Sequence, residues 1–253
     1  MRLLIMLFRL LLAMSVVCSA DTSPISTDGP QLSQSAVPNE DVVQLRYATV
    51  PPPLNVIAVH YWFVVFDTRE NAWSRWEVWQ DAGVSPTSWG HIQRDLQAPD
   101  AGVGGGKCRI SAEWRGEKAT RIIEVLHRPL DYPYRNTYRA WPGPNSNTYP
   151  AWVLHKARVS ADMDPRAIGK DYCGAIGGGA SLTRSGLHLD SPVVGFTVGA
   201  EDGVEVHVLC LTFGVDLLRP AIKTPFGRLG FSRTRHARSA PAPESSEPST
   251  GAK

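Results

Sequence analysis

The chain has 253 residues, of which 43% are hydrophobic and 20% are charged, a composition typical of a folded globular protein rather than a disordered chain. Its formal net charge is only +2, which argues against a nucleic-acid binder that acts through a concentrated basic surface. Its 22 glycines and 20 prolines are too many for an all-helical bundle.

The first residues, 1–20, have the pattern of a secretory signal. A basic start at Arg2 is followed by an apolar run over residues 10–17, and small residues stand at Cys18 and Ala20. We therefore expect an exported, periplasmic protein. The alternative is that residues 1–20 stay uncleaved and anchor the chain in the inner membrane, which is the only membrane contact that the sequence predicts.

The composition divides the rest of the chain into three parts. Residues 21–53 are rich in Ser and Pro and predict a flexible linker. Residues 54–231 have the length of one globular domain. Residues 232–253 lack any apolar period, and we expect them to be a disordered tail.

The first half of the predicted domain contains strand patterns followed by a helix. Residues 54–66 and 74–80 predict two strands of a hairpin, joined by a polar connection. Residues 108–115 predict a third strand. Residues 117–127 place apolar side chains at helical spacing and predict a helix that ends before Pro129.

The second half predicts one more helix and a pair of strands. The helix is expected to begin at Asn145 or Ser146 and to run through Val153, and residues 192–199 and 204–213 predict the strands. The fold class predicted from these elements is α+β, an antiparallel sheet with a few packed helices.

Common cofactor and metal motifs are missing from the sequence. Neither a complete phosphate-binding loop nor a zinc-ligand pattern occurs, so no cofactor and no metal are predicted. Once the signal is removed, Cys108, Cys173 and Cys210 remain, enough for one disulfide and one free thiol. Several tryptophans cluster around the first hairpin, where they suit either core packing or an aromatic wall for a ligand.

Residues 141–149, WPGPNSNTY, form the most distinctive motif of the chain. Three turn-forming residues deliver Asn145 or Ser146 to the first turn of a helix, where backbone N–H groups are free. A nucleophile at that place would have oxyanion donors beside it. The alternative interpretation is structural, because Asn and Ser are also the preferred helix caps.

This nonapeptide resembles the signature of an uncharacterised bacterial family, domain-of-unknown-function family 3750. Residues 191–231 resemble the same family, through Ser191-Pro192 and the segments 213–216 and 225–228. That resemblance implies kinship and carries no established activity.

A more distant similarity, to circularly permuted papain-like (NlpC-type) exported hydrolases and acyltransferases, implies a site. Those proteins place a histidine on the first strand and the nucleophile later, at a helix start, which corresponds here to His60 and Ser146. The hairpin geometry adds Glu77, which is expected on the same face as His60 within cross-strand reach. Asn145 or Asn147 would help backbone amides to hold the oxyanion.

The similarity therefore implies a hydrolase or acyltransferase in which Ser146 attacks, His60 is the general base and Glu77 orients it. Serine stands where those proteins have cysteine, and serine is the weaker nucleophile at neutral pH. Whether the chain is an enzyme thus stays open. The alternative is a non-catalytic envelope module that binds a lipid, a glycan or a partner protein.

Overall fold

The computed structural model describes residues 38–231. All thirteen strands in this part of the chain belong to two antiparallel sheets. The first sheet has the order β4-β5-β3-β2-β1-β6, and its strands are β1 (Val42–Thr49), β2 (Val59–Asp67), β3 (Ala72–Val78), β4 (Thr87–Trp89), β5 (Ile92–Arg94) and β6 (Arg109–Arg115).

The second sheet is a meander in which each strand pairs with the next along the chain. Its strands are β7 (Gly177–Ala180), β8 (Gly186–Asp190), β9 (Val194–Gly199), β10 (Gly203–Val208), β11 (Leu211–Asp216), β12 (Ala221–Thr224) and β13 (Gly227–Gly230). Between the sheets in sequence lie two α-helices, α1 (Glu117–Leu126) and α2 (Thr148–Ala157). Short 3-10 turns occupy Leu54–Val56 and Pro129–Asp131.

This architecture overturns the predicted fold class. Residues 38–231 form mostly antiparallel sheet with only two α-helices, which is closer to a β-sandwich than to an α+β fold. The α+β prediction, including its permuted papain-like variant, is therefore wrong. The strand at 108–115 and the helix at 117–127 are present within a residue or so, but more than half of the strands were not predicted.

One overlooked strand, β1, lies inside the segment 21–53 that the sequence analysis assigned to a linker. It pairs with β2 on one side and β6 on the other, so it is an interior strand of the first sheet. Its residues Val42, Val43 and Leu45 are fully buried. The Ser- and Pro-rich composition around this segment concealed a short strand pattern. The predicted signal at 1–20 and the predicted tail at 232–253 lie outside the described residues.

The turn after β10 explains a second difference. Residues 204–213 were predicted as one strand, but Leu209 and Cys210 both adopt left-handed backbone conformations, with φ of 52° and 61°. Two consecutive residues with positive φ form the tight turn that best joins antiparallel strands. Leu and Cys rarely occupy such turns, so the sequence gives no signal for this one.

The two faces of β2 lead to different surroundings. Val59, Tyr61 and Phe63 pack against the helices in the main hydrophobic core. His60 and Trp62 alternate with them and therefore point to the opposite face of the sheet. The buried residues on that opposite face form a second, smaller cluster around Trp62 and Val64.

Asn147, just before α2, attaches the helix to the edge of β2. Its Nδ2 donates to the backbone oxygens of Val59 at 2.9 Å and Ile168 at 3.0 Å, and its Oδ1 accepts from the backbone N–H of Tyr61 at 3.1 Å. Since Asn147 is buried, its amide takes the place of water as the partner of these backbone groups.

We expect Asn147→Ala to lower the free energy of unfolding by about 3 kcal/mol, because it removes three hydrogen bonds to buried backbone groups. Chemical denaturation monitored by circular dichroism measures this. The exposed Asn136→Ala is the matched control and should change stability by less than about 0.5 kcal/mol. Equal effects of the two substitutions would contradict the role given to Asn147.

Candidate functional site

His60 and Glu77 come together across the first hairpin, as predicted. The register pairs Phe63 with Trp76, which puts His60 and Glu77 on one face. His60 Nε2 lies 2.8 Å from Glu77 Oε2, and Arg75 Nη2 donates to the same oxygen at 2.9 Å. All three side chains are buried. The predicted contact is confirmed, whereas the catalytic roles of His60 and Glu77 stay predictions.

Aromatic rings and a charged neighbour surround this pair. The Arg75 guanidinium lies 4.2 Å from the centre of the Trp62 ring, and the edge of Trp79 meets the His60 ring at 5.5 Å. Burial alone would raise the pKa of Glu77, but the hydrogen bond with His60 and the charges of His60 and Arg75 outweigh it and hold this pKa below its usual value. The group has the character of a buried structural ion pair.

The lowered pKa of Glu77 predicts a stability that depends on pH. A carboxylate whose folded pKa is depressed stabilises the fold above its unfolded pKa, 4.5 for Glu77, and loses that contribution as the pH falls through the folded pKa. We expect Glu77→Gln to cost about 3 kcal/mol at pH 7, and this difference from wild type should shrink towards pH 3. Urea unfolding at both pH values measures it.

The exposed Glu124→Gln is the control for this experiment and should follow the wild type at every pH. A difference between wild type and Glu77→Gln that is the same at pH 7 and pH 3 would show that Glu77 is not ionised in the fold.

The helix α2 begins at Thr148, later than predicted, and Asn145 holds the turn that precedes it. The Oδ1 atom of Asn145 accepts from the backbone N–H of Asn147 at 2.9 Å and from that of Thr148 at 3.3 Å. Its Nδ2 donates to the backbone oxygens of Ala140 and Ile168. Gly169, with φ of 87°, permits this close approach, since a Cβ there would lie 2.5 Å from the Asn145 amide. Asn145 therefore has a structural task.

Ser146 lies between these two asparagines and is nearly buried. Within residues 38–231 its hydroxyl makes no hydrogen bond, to His60 or to any other group. The backbone amides of 147 and 148 donate to the Asn145 side chain. The structure thus brings His60 and Glu77 together, but it shows no hydrogen bond between Ser146 and His60.

A second group of charged residues, which sequence reasoning missed, is buried where residues 170–171 meet the second sheet. Lys170 Nζ lies 2.5 Å from Asp171 Oδ2 and 3.6 Å from Glu205 Oε2. His207 Nδ1 lies 3.0 Å from Asp171 Oδ2, and Lys223 pairs with Glu205. These five residues, from one loop and two strands, form the charged cluster.

Electrostatics keeps the charged cluster ionised although burial opposes it. Attraction to Asp171 and Glu205 outweighs burial and raises the pKa of His207 to about 9. Lys170 and other cations lower the pKa of Glu205 to about 2, and lower that of Asp171 far below its usual value. At neutral pH His207 is therefore protonated, and the buried charges largely compensate one another.

Asp190 adjoins the charged cluster. Burial, together with the negative charge of Asp171, raises the pKa of Asp190 to about 6. Ligand atoms of Asp171, Asp190 and His207 all lie within 4.8 Å of one another, so these three residues are the ones that could hold a metal ion here. His207 Nδ1 and Asp171 are at present joined by their own ion pair, which a cation would have to replace.

A cavity of ≈ 340 Å³ opens between α2 and the second sheet, beside the charged cluster. Lys170, Asp171 and Glu205 contribute to its wall, so part of the charged cluster faces the open space. The remaining lining combines aromatic rings with imidazoles, and its main members are Tyr134, Trp152, Tyr172, His155 and His188. The cavity therefore offers flat apolar surfaces and hydrogen-bonding groups together.

A signal for these residues was present in the sequence. In residues 203–208, GVEVHV, the charged Glu205 and His207 alternate with valines, which places both on one face of a strand. Their partners Lys170 and Asp171 lie far away in sequence and could not be inferred. The tryptophans of the first hairpin, in contrast, mostly pack: Trp62 and Trp76 are fully buried, and Trp89 stacks on Trp76.

The sequence of residues 40–172 matches the family described as Protein of unknown function (DUF3750). Because the match spans more than half of the chain, the chain belongs to this family. Searches of curated proteins and of solved structures found no match. The matched region includes the first sheet, both helices and the residues 170–172 of the cavity wall, whereas the second sheet follows it. Within residues 38–231 no helix has the length and apolar character needed to cross a membrane.

Proposed function

We propose that this protein is a non-catalytic module of the cell envelope that binds a small glycan in the cavity between α2 and the second sheet. The observation that carries the proposal is the lining of that cavity, where aromatic rings and charged or hydrogen-bonding side chains share one space of ≈ 340 Å³. This volume lies near the lower end of the range for small-molecule sites, which is roughly 300 to 1,000 Å³.

The chemistry of the lining favours a sugar over an acyl chain. Trp152, Tyr134 and Tyr172 line the cavity, and the apolar face of a sugar ring can stack on aromatic rings of this kind. His155, Thr148 and the carboxylate of Asp171 can exchange hydrogen bonds with hydroxyl groups. An acyl chain would have to lie against buried charges without satisfying them, which is costly.

The hydrolase alternative has less support from the geometry. Within residues 38–231 its nucleophile Ser146 has no hydrogen bond to a base. Activation of a serine requires a base within about 2.6 to 3.2 Å. The export of the module rests on the signal pattern of residues 1–20 alone.

The binding proposal is tested with the full chain and two disaccharides, di-N-acetylchitobiose and cellobiose, by saturation-transfer NMR and calorimetry. We expect at least one of them to bind, and Trp152→Ala and His155→Ala each to weaken that binding about tenfold or more, since each removes a contact surface. Trp114→Ala, a partly buried tryptophan on the first sheet, is the matched control and should bind like wild type.

Two outcomes would contradict the proposal. One is that neither disaccharide binds while a fatty acid such as laurate does, in a manner sensitive to Trp152→Ala. The other is that a fluorophosphonate probe labels the wild type but not Ser146→Ala, which would establish a reactive serine and favour the enzyme.

A further inference from the structure

The second sheet has its polar side chains inward and its apolar side chains outward. Along β10, Glu205 and His207 are buried, while Val204 and Val208 on the opposite face are exposed. The same alternation holds in the neighbouring strands. From β8 to β11 every outward position is apolar, and these positions, here called the outward face, are Leu187, Leu189, Val194, Phe196, Val198, Val204, Val206, Val208, Leu211, Phe213 and Val215.

No part of residues 38–231 covers the outward face. Phe196 is 51% exposed, Phe213 is 45% exposed and Leu187 is 71% exposed. Ile222 and Leu229 extend the apolar surface onto β12 and β13. Monomeric soluble proteins rarely leave so large a contiguous apolar surface in water, and such surfaces mark interaction sites with proteins or membranes.

The backbone of the sheet suits a contact with lipid. Between β8 and β12 each strand is hydrogen-bonded to a neighbour on both sides, so the face presents side chains and no unpaired N–H or C=O groups. Unpaired backbone groups are what makes a peptide surface costly to place against hydrocarbon. The outward face can therefore meet acyl chains without that cost.

The charges beside the outward face favour an anionic membrane over a second copy of the chain as its partner. At the end of the sheet where Phe231 and Pro220 adjoin, Leu217 and Leu218 are exposed, next to Arg219. The chain continues from there with Arg233, Arg235, His236 and Arg238, and its next carboxylate is Glu244. One exposed carboxylate, Glu201, lies at this end.

We propose that the outward face lies on a bilayer that contains anionic lipids, whose charge complements the basic sequence Arg233, Arg235 and Arg238 that follows the sheet. Apolar surface and adjoining basic residues are the two contributions that together hold a protein stably on such a membrane. A second copy stacked face to face would bury the apolar surface equally well, but it would leave the basic stretch without a counter-charge. This contact is independent of the cavity on the other side of the sheet.

The contact is tested with the full chain and phosphatidylglycerol vesicles that contain a phospholipid with a photoactivatable acyl chain. Mass spectrometry of the irradiated protein then maps which peptides contact lipid. We expect labels on the peptides that carry residues 194–198 and 211–215. Labels confined to residues 1–20, or a stable dimer in which the outward face takes up no label, would overturn the proposal.

Variants separate the apolar and the electrostatic contributions. Phe196→Asp with Phe213→Asp should abolish labelling of the sheet, whereas the control Leu130→Asp, at a residue 64% exposed away from the second sheet, should not change it. Replacing Arg233, Arg235 and Arg238 with Gln should weaken sheet labelling on phosphatidylglycerol vesicles by roughly tenfold or more. The same variant should match wild type on phosphatidylcholine vesicles. If wild type is labelled equally on both types of vesicle, the proposed attraction to anionic lipid is wrong.

Discussion

The buried ion pairs between residues 170–171 and the second sheet decide which way that sheet faces. β10 and β12 carry charged side chains that point inward and form ion pairs inside the protein. Glu205 pairs with Lys170 and Lys223, and His207 pairs with Asp171. Since side chains alternate along a strand, the apolar residues between them are forced outward. A slip of register by one residue would bury the valines and expose the charges, which would leave Lys170 and Asp171 with only each other as charged partners. The ion pairs thus fix register, orientation and the exposed apolar surface together.

The first sheet follows the opposite and more usual rule. Its strands β1 and β2 place alternate apolar side chains against α1 and α2, and Asn147 secures the start of α2 to the edge of β2. Polar residues on the far face of this sheet pair among themselves, as His60 and Glu77 do. The two asparagines beside Ser146 contribute to this packing. The side chains of Asn145 and Asn147 hydrogen-bond to the backbone, so they are not available to bind an oxyanion.

What the sequence could predict was local. The hairpin register gave the His60–Glu77 contact, because a turn of known position determines which residues face each other. The helix α1 followed from its apolar spacing. The interior strand β1 was obscured by its surroundings, and the turn at Leu209 and Cys210 contains no residue that favours positive φ. The charged cluster joins residues remote in sequence, so neither periodicity nor spacing could bring its members together.

Burying charge is costly, so the presence of the charged cluster calls for a reason other than stability. A buried ion pair can often be replaced by apolar residues of similar volume with no loss of stability, so the stability of the fold does not by itself require these five residues. Their position supplies another reason, because Lys170, Asp171 and Glu205 reach the cavity wall and can meet a polar ligand there. The valines that alternate with Glu205 and His207 reach the other face of the same strand. A ligand in the cavity and a lipid on the outward face would then be separated by the thickness of one sheet, about 10 Å. The second sheet, with its polar side chains inward and its apolar side chains outward, is therefore the feature that would hold a glycan close to a membrane surface.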